Sequence, residues 1–453
     1  MAIGIESVID TISGKDVVER ERRLQLIPGS DSVLELPAMI RNPTGFYHDR
    51  FERYGRIFRT RLMVGVVFMI GAEANKSILV TRRTEFGFGK GYETTNVKNV
   101  FQGSIMLMDG EEHQTTRNIL NPAVGRLAVR ESGGPVQQIW RERLAYAASQ
   151  DCVDAYDFAR LSTFKVSGNV LTGLELGEEL DSYEPLLETI ISGIMAPTPI
   201  RYPFGVLDKA MKARDEVIRR MIPRIEDARK VEPRGLVGQL AHHKDADGNY
   251  LDPTHVARQL ILLFWAGYDT TASASTWILH RLARRPDWQR RIREEMLALE
   301  TDDLGTLETG KGLPQTEWFL YEIERHTPSV VMFPRVALQD IEFGGYTIPA
   351  GTPVMYSPYM SHRDPASFDN PNAFDPDRWD PSNDRKARVS DLVGFGGGPR
   401  ICLGKAFAKL QMKILLYELL TKYHIESDDR VPFSVRALPV HHPVNSSLRI
   451  RPL

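Results

Sequence analysis

The pattern of apolar and polar positions predicts a mainly helical chain with a small β region. Phe46 to Tyr54 has helical spacing, whereas Ile57 to Ile70 alternates or runs apolar, as strands do. Val136 to Arg229 is again helical with charged faces, and three prolines within residues 196–205 predict a loop that divides it into two helices. Ile341 to Tyr356 alternates around glycine turns and predicts a small sheet.

The longest predicted helix runs from Asp252 to about Arg285. Asp252 is a favourable N-cap, and the proline after it suits the first helical position. Residues 260–267 are apolar on all sides, which indicates that the middle of this helix is buried. The run Tyr268-Asp269-Thr270-Thr271 then places a carboxylate and hydroxyls in the same buried helix. Such groups are unfavourable in a core unless they are hydrogen-bonded, and breaks in a well-specified element tend to mark functional sites.

Composition and charge argue against a nucleic-acid partner and against a membrane anchor. The chain has 453 residues, 42% hydrophobic and 26% charged, with a net charge of −2, so nothing suggests a nucleic-acid partner. We find no repeat or linker and expect a single domain over residues 1–453, with residues 1–26 as a polar N-terminal lead. That lead has no apolar run long enough for a signal peptide or membrane span, so we expect no membrane anchor.

The chain has two cysteines, Cys152 and Cys402, which fits a reducing compartment and predicts a cytoplasmic protein. Cys402 lies among glycines, two residues after Arg400 and just before a predicted helix. Nearby backbone N–H groups and a helix N-terminus stabilise a thiolate, and glycines let a flat cofactor approach the main chain closely. The surroundings therefore suit a metal-binding thiolate, while the alternative is a buried cysteine beside a glycine-rich turn.

The run F-x-x-G-x-R-x-C-x-G, from Phe395 to Gly404, resembles the haem-binding signature of the cytochrome P-450 family, the haem-thiolate monooxygenases. The resemblance implies the cytochrome P-450 fold, a triangular prism of helices around a buried haem. It implies Cys402 as the axial ligand of the haem iron, with Phe395, Arg400 and Gly404 beside the cofactor. A thiolate ligand pushes electron density onto iron and favours O–O cleavage.

The run A-G-x-D-T-T, from Ala266 to Thr271, resembles the oxygen-activation motif of the same family. The resemblance implies that Ala266 lies at the cofactor, that Thr270 hydrogen-bonds dioxygen and that Asp269 relays protons. A threonine hydroxyl also bonds back to the preceding turn and locally opens a helix, so the alternative is a structural kink.

Further cofactor contacts are implied by position. His113 and Arg117 are four residues apart on a predicted helix capped by Asp109 or Gly110, so they share a face. The family places such a pair against a haem propionate. Without the resemblance, the pair would indicate only a solvent-exposed face of the helix. Arg335 and Arg400 stand where relatives bind propionates.

Glu322 and Arg325 form an E-x-x-R pair, three residues apart on a predicted helix. By resemblance, Arg378 completes a salt-bridge network with them behind the haem, and its role is structural.

The resemblance also implies an apolar substrate pocket and a partner surface. The pocket candidates are Phe101 and Ile105 in a segment covering the pocket, Trp265 and Tyr268 on the central helix, and Val331 and Met332 in an extended stretch. Lys405, Lys409 and Lys413 recur every four residues, as a solvated face or as a basic patch that docks an electron donor. We expect a separate ferredoxin or flavodoxin-type donor, since the chain ends about fifty residues after Cys402.

The sequence therefore predicts a haem b monooxygenase that inserts one oxygen atom from O2 into an apolar terpenoid, steroid, fatty acid or polyketide. Two alternatives remain. A peroxide-driven peroxygenase of the same fold would not need Asp269 and Thr270, and a non-catalytic haem sensor would have no use for a proton relay.

Overall fold

A computed structural model describes residues 14–62, 65–93, 95–174, 176–428 and 432–453. The prediction of a mainly helical chain with a small β region is confirmed. The α-helices in chain order are α1 Gly14–Leu26, α2 Glu35–Arg41, α3 Pro43–Tyr54, α4 Ala72–Lys76, α5 Val97–Val100, α6 Gly110–Leu120, α7 Arg126–Glu131, α8 Gly133–Ala148, α9 Ala155–Val166, α10 Leu180–Ile194, α11 Val206–Ala228, α12 Gly235–His242, α13 Pro253–Leu282, α14 Pro286–Leu297, α15 Pro314–His326, α16 Pro358–Ser361 and α17 Lys405–Leu420.

The β strands are short and form four sheets. In chain order they are β1 Gly29–Ser30, β2 Ile57–Arg61, β3 Gly65–Met69, β4 Phe86–Gly87, β5 Val153–Asp154, β6 Phe333–Ala337, β7 Ile341–Phe343, β8 Tyr346–Ile348, β9 Pro353–Tyr356, β10 Tyr423–Asp428, β11 Ser434–Arg436, β12 His442–Val444 and β13 Ser447–Pro452. The largest sheet has the order β1-β2-β3-β9-β6-β4, and β10-β13-β5 form a second. Two hairpins, β7-β8 and β11-β12, complete the β structure. Gly344 and Gly345 make the β7–β8 turn with φ of 59° and 83°, a conformation that glycine adopts readily.

The helix α13 is the centre of the helical core. The Asp252 carboxylate accepts a hydrogen bond from the His255 amide at 3.1 Å and caps the helix as predicted. The helix ends at Leu282, three residues before the predicted end. It packs against α9, α11, α12, α15 and α17, which explains why its middle is apolar on nearly every side.

The N-terminal lead has structure over its described part. Residues 1–13 lie outside the described residues, whereas Gly14–Leu26 form α1. Leu24 packs against the apolar cluster of the largest sheet, and Arg23 pairs with Asp340 at 2.7 Å. These contacts tie α1 to the sheet side of the protein. Across the described ranges, no helix combines the length and the apolar character needed to cross a membrane.

The predicted loop at residues 196–205 is confirmed, because α10 ends at Ile194 and α11 begins at Val206. Its Phe204 side chain is 82% exposed. Asp208 at the start of α11 accepts hydrogen bonds from Arg201 at 2.9 Å and from the Phe204 amide at 3.2 Å. The loop is therefore folded back onto the first turn of α11.

Buried histidines make the fold sensitive to acid. Burial lowers the pKa of His280, His362 and His441 to about 3 and that of His442 to about 4. Each side chain is neutral in the folded protein at pH values where the unfolded chain is protonated.

We expect the free energy of unfolding to be highest above about pH 6.5 and to fall progressively as the pH drops toward 5, because the unfolded chain then binds about one more proton per buried histidine. Urea denaturation midpoints measured at several pH values check this. Carboxylates do not dominate this window, because aspartate and glutamate side chains in an unfolded chain titrate at lower pH. A midpoint that stays constant down to about pH 5 would contradict the expectation, and His280→Gln should reduce the slope.

Candidate active site

The loop before α17 holds Cys402 in a fixed backbone conformation. The Cys402 amide donates to the Phe395 carbonyl at 2.8 Å, which closes the loop on itself. Gly398 has φ of 57°, and a Cβ built there would lie 2.0 Å from the Leu79 carbonyl oxygen. Only glycine fits this position, because a side chain would clash with the main chain beneath it.

The Cys402 side chain faces a space inside the protein. It has accessible surface, yet protein surrounds it closely enough that burial raises the pKa of its thiol. The backbone N–H of Gly404 and the positive charges of Arg117 and Lys405 act in the opposite direction and favour the thiolate. Gly404 is also the N-cap of α17, and a Cβ at Gly404 would meet nothing within 4 Å. The open space over Gly404 and the enclosed sulfur fit a flat group held by a thiolate.

The helix α13 presents an accessible stripe in the core. Leu263, Ala266, Thr270 and Ala274 are partly exposed, although most other residues of the helix are buried. Their spacing of three or four residues puts them on one face. The Thr270 hydroxyl donates to the Ala266 carbonyl at 2.7 Å. The stripe is an inner surface that carries one polar side chain.

Asp269 lies off the stripe. Its carboxylate is buried and accepts a hydrogen bond from the Tyr156 hydroxyl at 2.9 Å and one from the Trp265 indole N–H at 3.1 Å. Burial raises the pKa of this carboxyl, and the two hydrogen bonds only partly oppose that effect. Sequence reasoning missed Tyr156, because nothing in the local pattern of α9 indicates a partner 113 residues away.

Basic side chains gather near the cysteine loop. Arg335 and Arg400 lie against the same Phe88 ring, with guanidinium carbons 4.3 and 4.5 Å from its centroid. Burial, followed by the charges of Arg400 and Arg117, lowers the pKa of His113 to about 4. Burial also lowers the pKa of Arg400 to about 10. Like charges held together in this way fit an anionic ligand with two carboxylates.

Asp109 is the N-cap residue of α6, as predicted, but its side chain makes no capping hydrogen bond. Its carboxylate accepts hydrogen bonds from the amides of Phe88 and Lys90, at 3.0 and 3.2 Å, and from the Arg400 guanidinium at 2.8 Å. Arg400 also donates to the Met108 carbonyl. The tertiary partners outcompete the local cap, so Asp109 orients Arg400 toward the basic cluster.

Behind the cysteine loop, the structure brings Glu322, Arg325 and Arg378 together. The fully buried Glu322 carboxylate accepts from Arg325 at 2.8 Å and from Arg378 at 3.1 Å. The Trp379 indole and the Asp375 amide donate to it as well, at 3.1 and 2.7 Å. With this many donors the buried charge is fully compensated, and α15 is locked to residues 375–379.

His362 links this network to the cysteine loop and was missed from sequence. Its Nε2 accepts from the Val393 amide at 3.0 Å, so Nδ1 carries the proton and donates to the Arg325 carbonyl at 3.2 Å. The local sequence of a lone histidine gives no signal of such a bridge.

Comparison with known proteins decides the family. The cytochrome P450 family profile matches residues 32–443. The chain belongs to the cytochrome P450 family. It is a monooxygenase by membership of that family, whose members use haem iron and O2.

Individual relatives agree with the family profile. The P450 is 29% identical over 400 residues to (1S)-1-hydroxy-luvungin A synthase CYP88A37 of Citrus sinensis, covering 85% of this chain and 80% of the relative. It is 28% identical over 424 residues to abscisic acid 8'-hydroxylase 2 of Arabidopsis thaliana, covering 90% and 86%. A structure of cyanobacterial CYP120A1 with retinoic acid bound matches with a TM-score of 0.84 and 26% identity, covering 94% of this chain and 99% of that one. The predicted P450 fold is therefore confirmed.

In this P450 a loop segment packs onto α13 beside the stripe. The Phe101 ring stacks on Trp265 with centroids 5.0 Å apart. The Gln259 side chain accepts from the Ile105 amide and donates to the Gly103 carbonyl, both at 2.8 Å. Gln259 was missed from sequence, although a buried glutamine on an apolar helix is itself a signal of a specific partner.

The other pocket candidates lie elsewhere in the core. Tyr268 packs edge-on against Phe164 and Phe264, between α9 and α13, so the structure does not place its ring with the stripe. Val331 and Met332 pack in the apolar cluster around Tyr47, which donates from its hydroxyl to the Met332 sulfur at 3.3 Å. A pocket role for Val331 and Met332 stays a prediction.

The prediction of a basic patch formed by three lysines of α17 is wrong in part. Lys413 is only 1% exposed, pairs with Glu317 at 2.5 Å and donates to the Leu307 carbonyl at 2.9 Å. Lys409 is largely covered and its ammonium lies 4.5 Å from the Tyr321 ring centroid. The helix is buried around most of its circumference, so regular spacing of lysines does not make a surface there. Lys405 keeps partial exposure at the cysteine loop.

We expect Glu322→Ala to lower the free energy of unfolding by about 3–5 kcal/mol and to abolish haem retention, because Arg325 and Arg378 are left as buried unpaired charges. Haem content per protein after purification and urea denaturation measure both effects. Glu216→Ala is the control, because Glu216 pairs with Arg219 and Arg220 on the surface and should change neither quantity appreciably. Normal haem content in Glu322→Ala would contradict the proposed role of the network.

Gly398→Ala should lower the free energy of unfolding by about 1–3 kcal/mol or more. The added methyl requires both a strained φ and a shift of the Leu79 backbone. Thermal denaturation checks the loss. Gly65→Ala is its control, since a Cβ there meets nothing within 4 Å. Equal melting temperatures for the two variants would rule out this constraint.

Proposed function

We propose that this P450 holds haem b through the Cys402 thiolate and inserts one oxygen atom from O2 into an apolar small molecule. The observation that carries the proposal is the enclosed yet accessible Cys402 side chain in a glycine-rich loop at the N-terminus of α17. When bound, the haem supplies the O2-activating chemistry.

The basic cluster would hold the two propionates. Arg117, Arg335 and Arg400 supply guanidinium donors, and His113 lies beside them. Asp109 leaves Arg400 correctly oriented without neutralising the whole cluster. Burial and then the charges of Arg400 and Arg117 lower the pKa of His113, and a bound dicarboxylate would offset the part that comes from those charges.

Proton delivery is assigned to Thr270 and Asp269. Thr270 is the polar side chain on the accessible stripe, and its bond to Ala266 can be exchanged for one to a reacting group or water. Asp269 is adjacent in sequence and buried, and burial raises the pKa of its carboxyl, which makes it a better proton acceptor than an exposed aspartate. Their presence favours the O2-dependent monooxygenase over a peroxide-driven enzyme.

The substrate is proposed to be a terpenoid. The accessible stripe is apolar apart from Thr270, with Leu263 and Ala274 on it, and the buried Phe101 ring stacks on Trp265 of the same helix. One relative is named for abscisic acid, and the similar solved structure has retinoic acid bound; both are isoprenoid carboxylic acids. These names favour the terpenoid class over steroids, fatty acids and polyketides.

Electrons are proposed to come from a separate ferredoxin or flavodoxin-type protein. Of the three lysines, Lys405 remains the candidate for the docking surface, because it is partly exposed and lies over the Phe395 ring at 5.6 Å. An acidic donor bound there would be next to the loop that carries Cys402.

The reduced protein exposed to carbon monoxide should show the strongly red-shifted Soret band of thiolate-ligated haem. Cys402→Ser should lose this band, because a hydroxyl does not replace the thiolate as a ligand. Cys152→Ser is the matched control and should keep it, since Cys152 is an exposed free cysteine. A band typical of histidine-ligated haem in fresh wild-type protein would overturn the proposal.

Thr270→Ala should lower the rate of product formation by about 100-fold while reductant is still consumed, because a positioned hydroxyl for proton transfer is lost. The product formed per reductant consumed measures this coupling. Thr276→Ala is the control, because the Thr276 hydroxyl makes the same bond to the carbonyl four residues earlier, at 2.7 Å, in a fully buried position. Full coupling in Thr270→Ala would remove Thr270 from the mechanism.

A further inference from the structure

The Asp269 carboxylate is held by two neutral donors rather than by a cation. Tyr156 binds one carboxylate oxygen at 2.9 Å and Trp265 binds the other at 3.1 Å. Arg160, four residues after Tyr156 on α9, is engaged by Glu184 and Glu188 at 2.6 and 2.8 Å. Neutral hydrogen bonds orient a carboxylate and leave it able to accept a proton, whereas a close ion pair would hold it charged.

The two donors reach Asp269 from different parts of the structure. Tyr156 is in the first turn of α9, where the Asp154 carboxylate caps its amide at 2.9 Å. Its ring stacks on His442 of β12, with centroids 3.7 Å apart and planes 9° apart. The Tyr156 hydroxyl therefore has little freedom to move and sets a fixed position for one carboxylate oxygen.

Trp265 is the donor that connects Asp269 to the segment containing Phe101. It precedes Asp269 by one helical turn, and its indole ring stacks on Phe101 with an interplanar angle of 22°. Phe101 belongs to the segment that Gln259 ties to α13 through Gly103 and Ile105. A displacement of that segment would move the indole and with it one of the two hydrogen bonds of the carboxylate.

We propose that Tyr156 and Trp265 are positioning residues that hold the Asp269 carboxylate off the accessible stripe, and that Trp265 couples this position to the Phe101 segment. The inference rests on the proposed monooxygenase function and deepens it by naming what controls the proton-relay residue. A change in the position of the Phe101 ring would then change the hydrogen bonding of Asp269 through the Trp265 indole.

The charged and titratable groups around Asp269 come from α9, α10, α13 and β12. They are Tyr156 and Arg160 on α9, Glu184 and Glu188 on α10 beyond Arg160, Tyr268 on α13 itself, and His442 on β12 behind Tyr156. Among these, the Tyr156 hydroxyl hydrogen-bonds the carboxylate directly. Removing either donor weakens the charged form, so the carboxyl should take up its proton at higher pH.

The test uses the resting holoenzyme and infrared difference spectroscopy over a pH titration. The C=O stretch of protonated Asp269 is assigned by its loss in Asp269→Asn. We expect Tyr156→Phe and Trp265→Phe each to move the titration of this band upward by about one pH unit, since each removes one hydrogen bond to the carboxylate. Tyr268→Phe is the matched control and should leave the band in place, because Tyr268 is a buried neighbour that does not bond Asp269.

The coupling to the pocket is tested by Phe101→Leu, which leaves both donors intact. We expect it to shift the band in the wild-type background and not in the Trp265→Phe background, as a double-mutant cycle requires. An unchanged band in both donor variants would overturn the positioning role. Equal Phe101→Leu shifts in both backgrounds would overturn the coupling.

The carbon monoxide spectrum of each variant separates these results from the proposed function. If wild-type protein lacks the thiolate-type band, the monooxygenase proposal fails. If the variants retain that band but the carboxyl titration does not move, only the present inference fails. As a second readout, the product formed per reductant should fall in Tyr156→Phe and Trp265→Phe, with its pH optimum displaced upward.

Discussion

A cysteine sulfur closely surrounded by protein is the constraint on which this side of the P450 depends. Burial opposes ionisation of Cys402, and a backbone N–H and nearby cations favour it, so the balance depends on where the loop backbone lies. That placement has three supports. Gly398 lies directly on the Leu79 backbone, His362 holds the Val393 amide, and α17 starts shortly after Cys402. Each support fixes atoms near the sulfur without contacting it.

The charge of the surrounding groups also distinguishes two buried carboxylates, Glu322 and Asp269. The buried Glu322 is surrounded by ionic donors and is fully committed to structure, whereas the buried Asp269 has two neutral donors and remains free to change protonation. Two carboxylates with similar burial thus have different electrostatic surroundings because their partners differ in charge. The distinction depends on distant side chains and is invisible in the local sequence around either residue.

The fold and the outline of the site were predictable because motifs and periodicity are local. The cap at Asp252, the loop at residues 196–205 and the β7–β8 hairpin followed from turn and helix rules, whereas β9 of the predicted small sheet joins the largest sheet. Asp109, Lys413 and Tyr156 were not predictable. Asp109 exchanges a local cap for a tertiary ion pair, Lys413 faces Glu317 of another helix, and Tyr156 meets Asp269 across α9 and α13. Local rules describe what a residue prefers in isolation, and at these positions long-range partners decide.

The accessible stripe of α13 divides one helix into two independent surfaces. The face toward α9, α11 and α17 is packed and determines stability, while Leu263 and Ala274 on the stripe belong to the inner surface. Substitutions at those two positions would change the inner surface and leave the packed face untouched. If the stripe faces the substrate, as proposed, selection for a new substrate and selection for a stable fold act on different residues of the same helix.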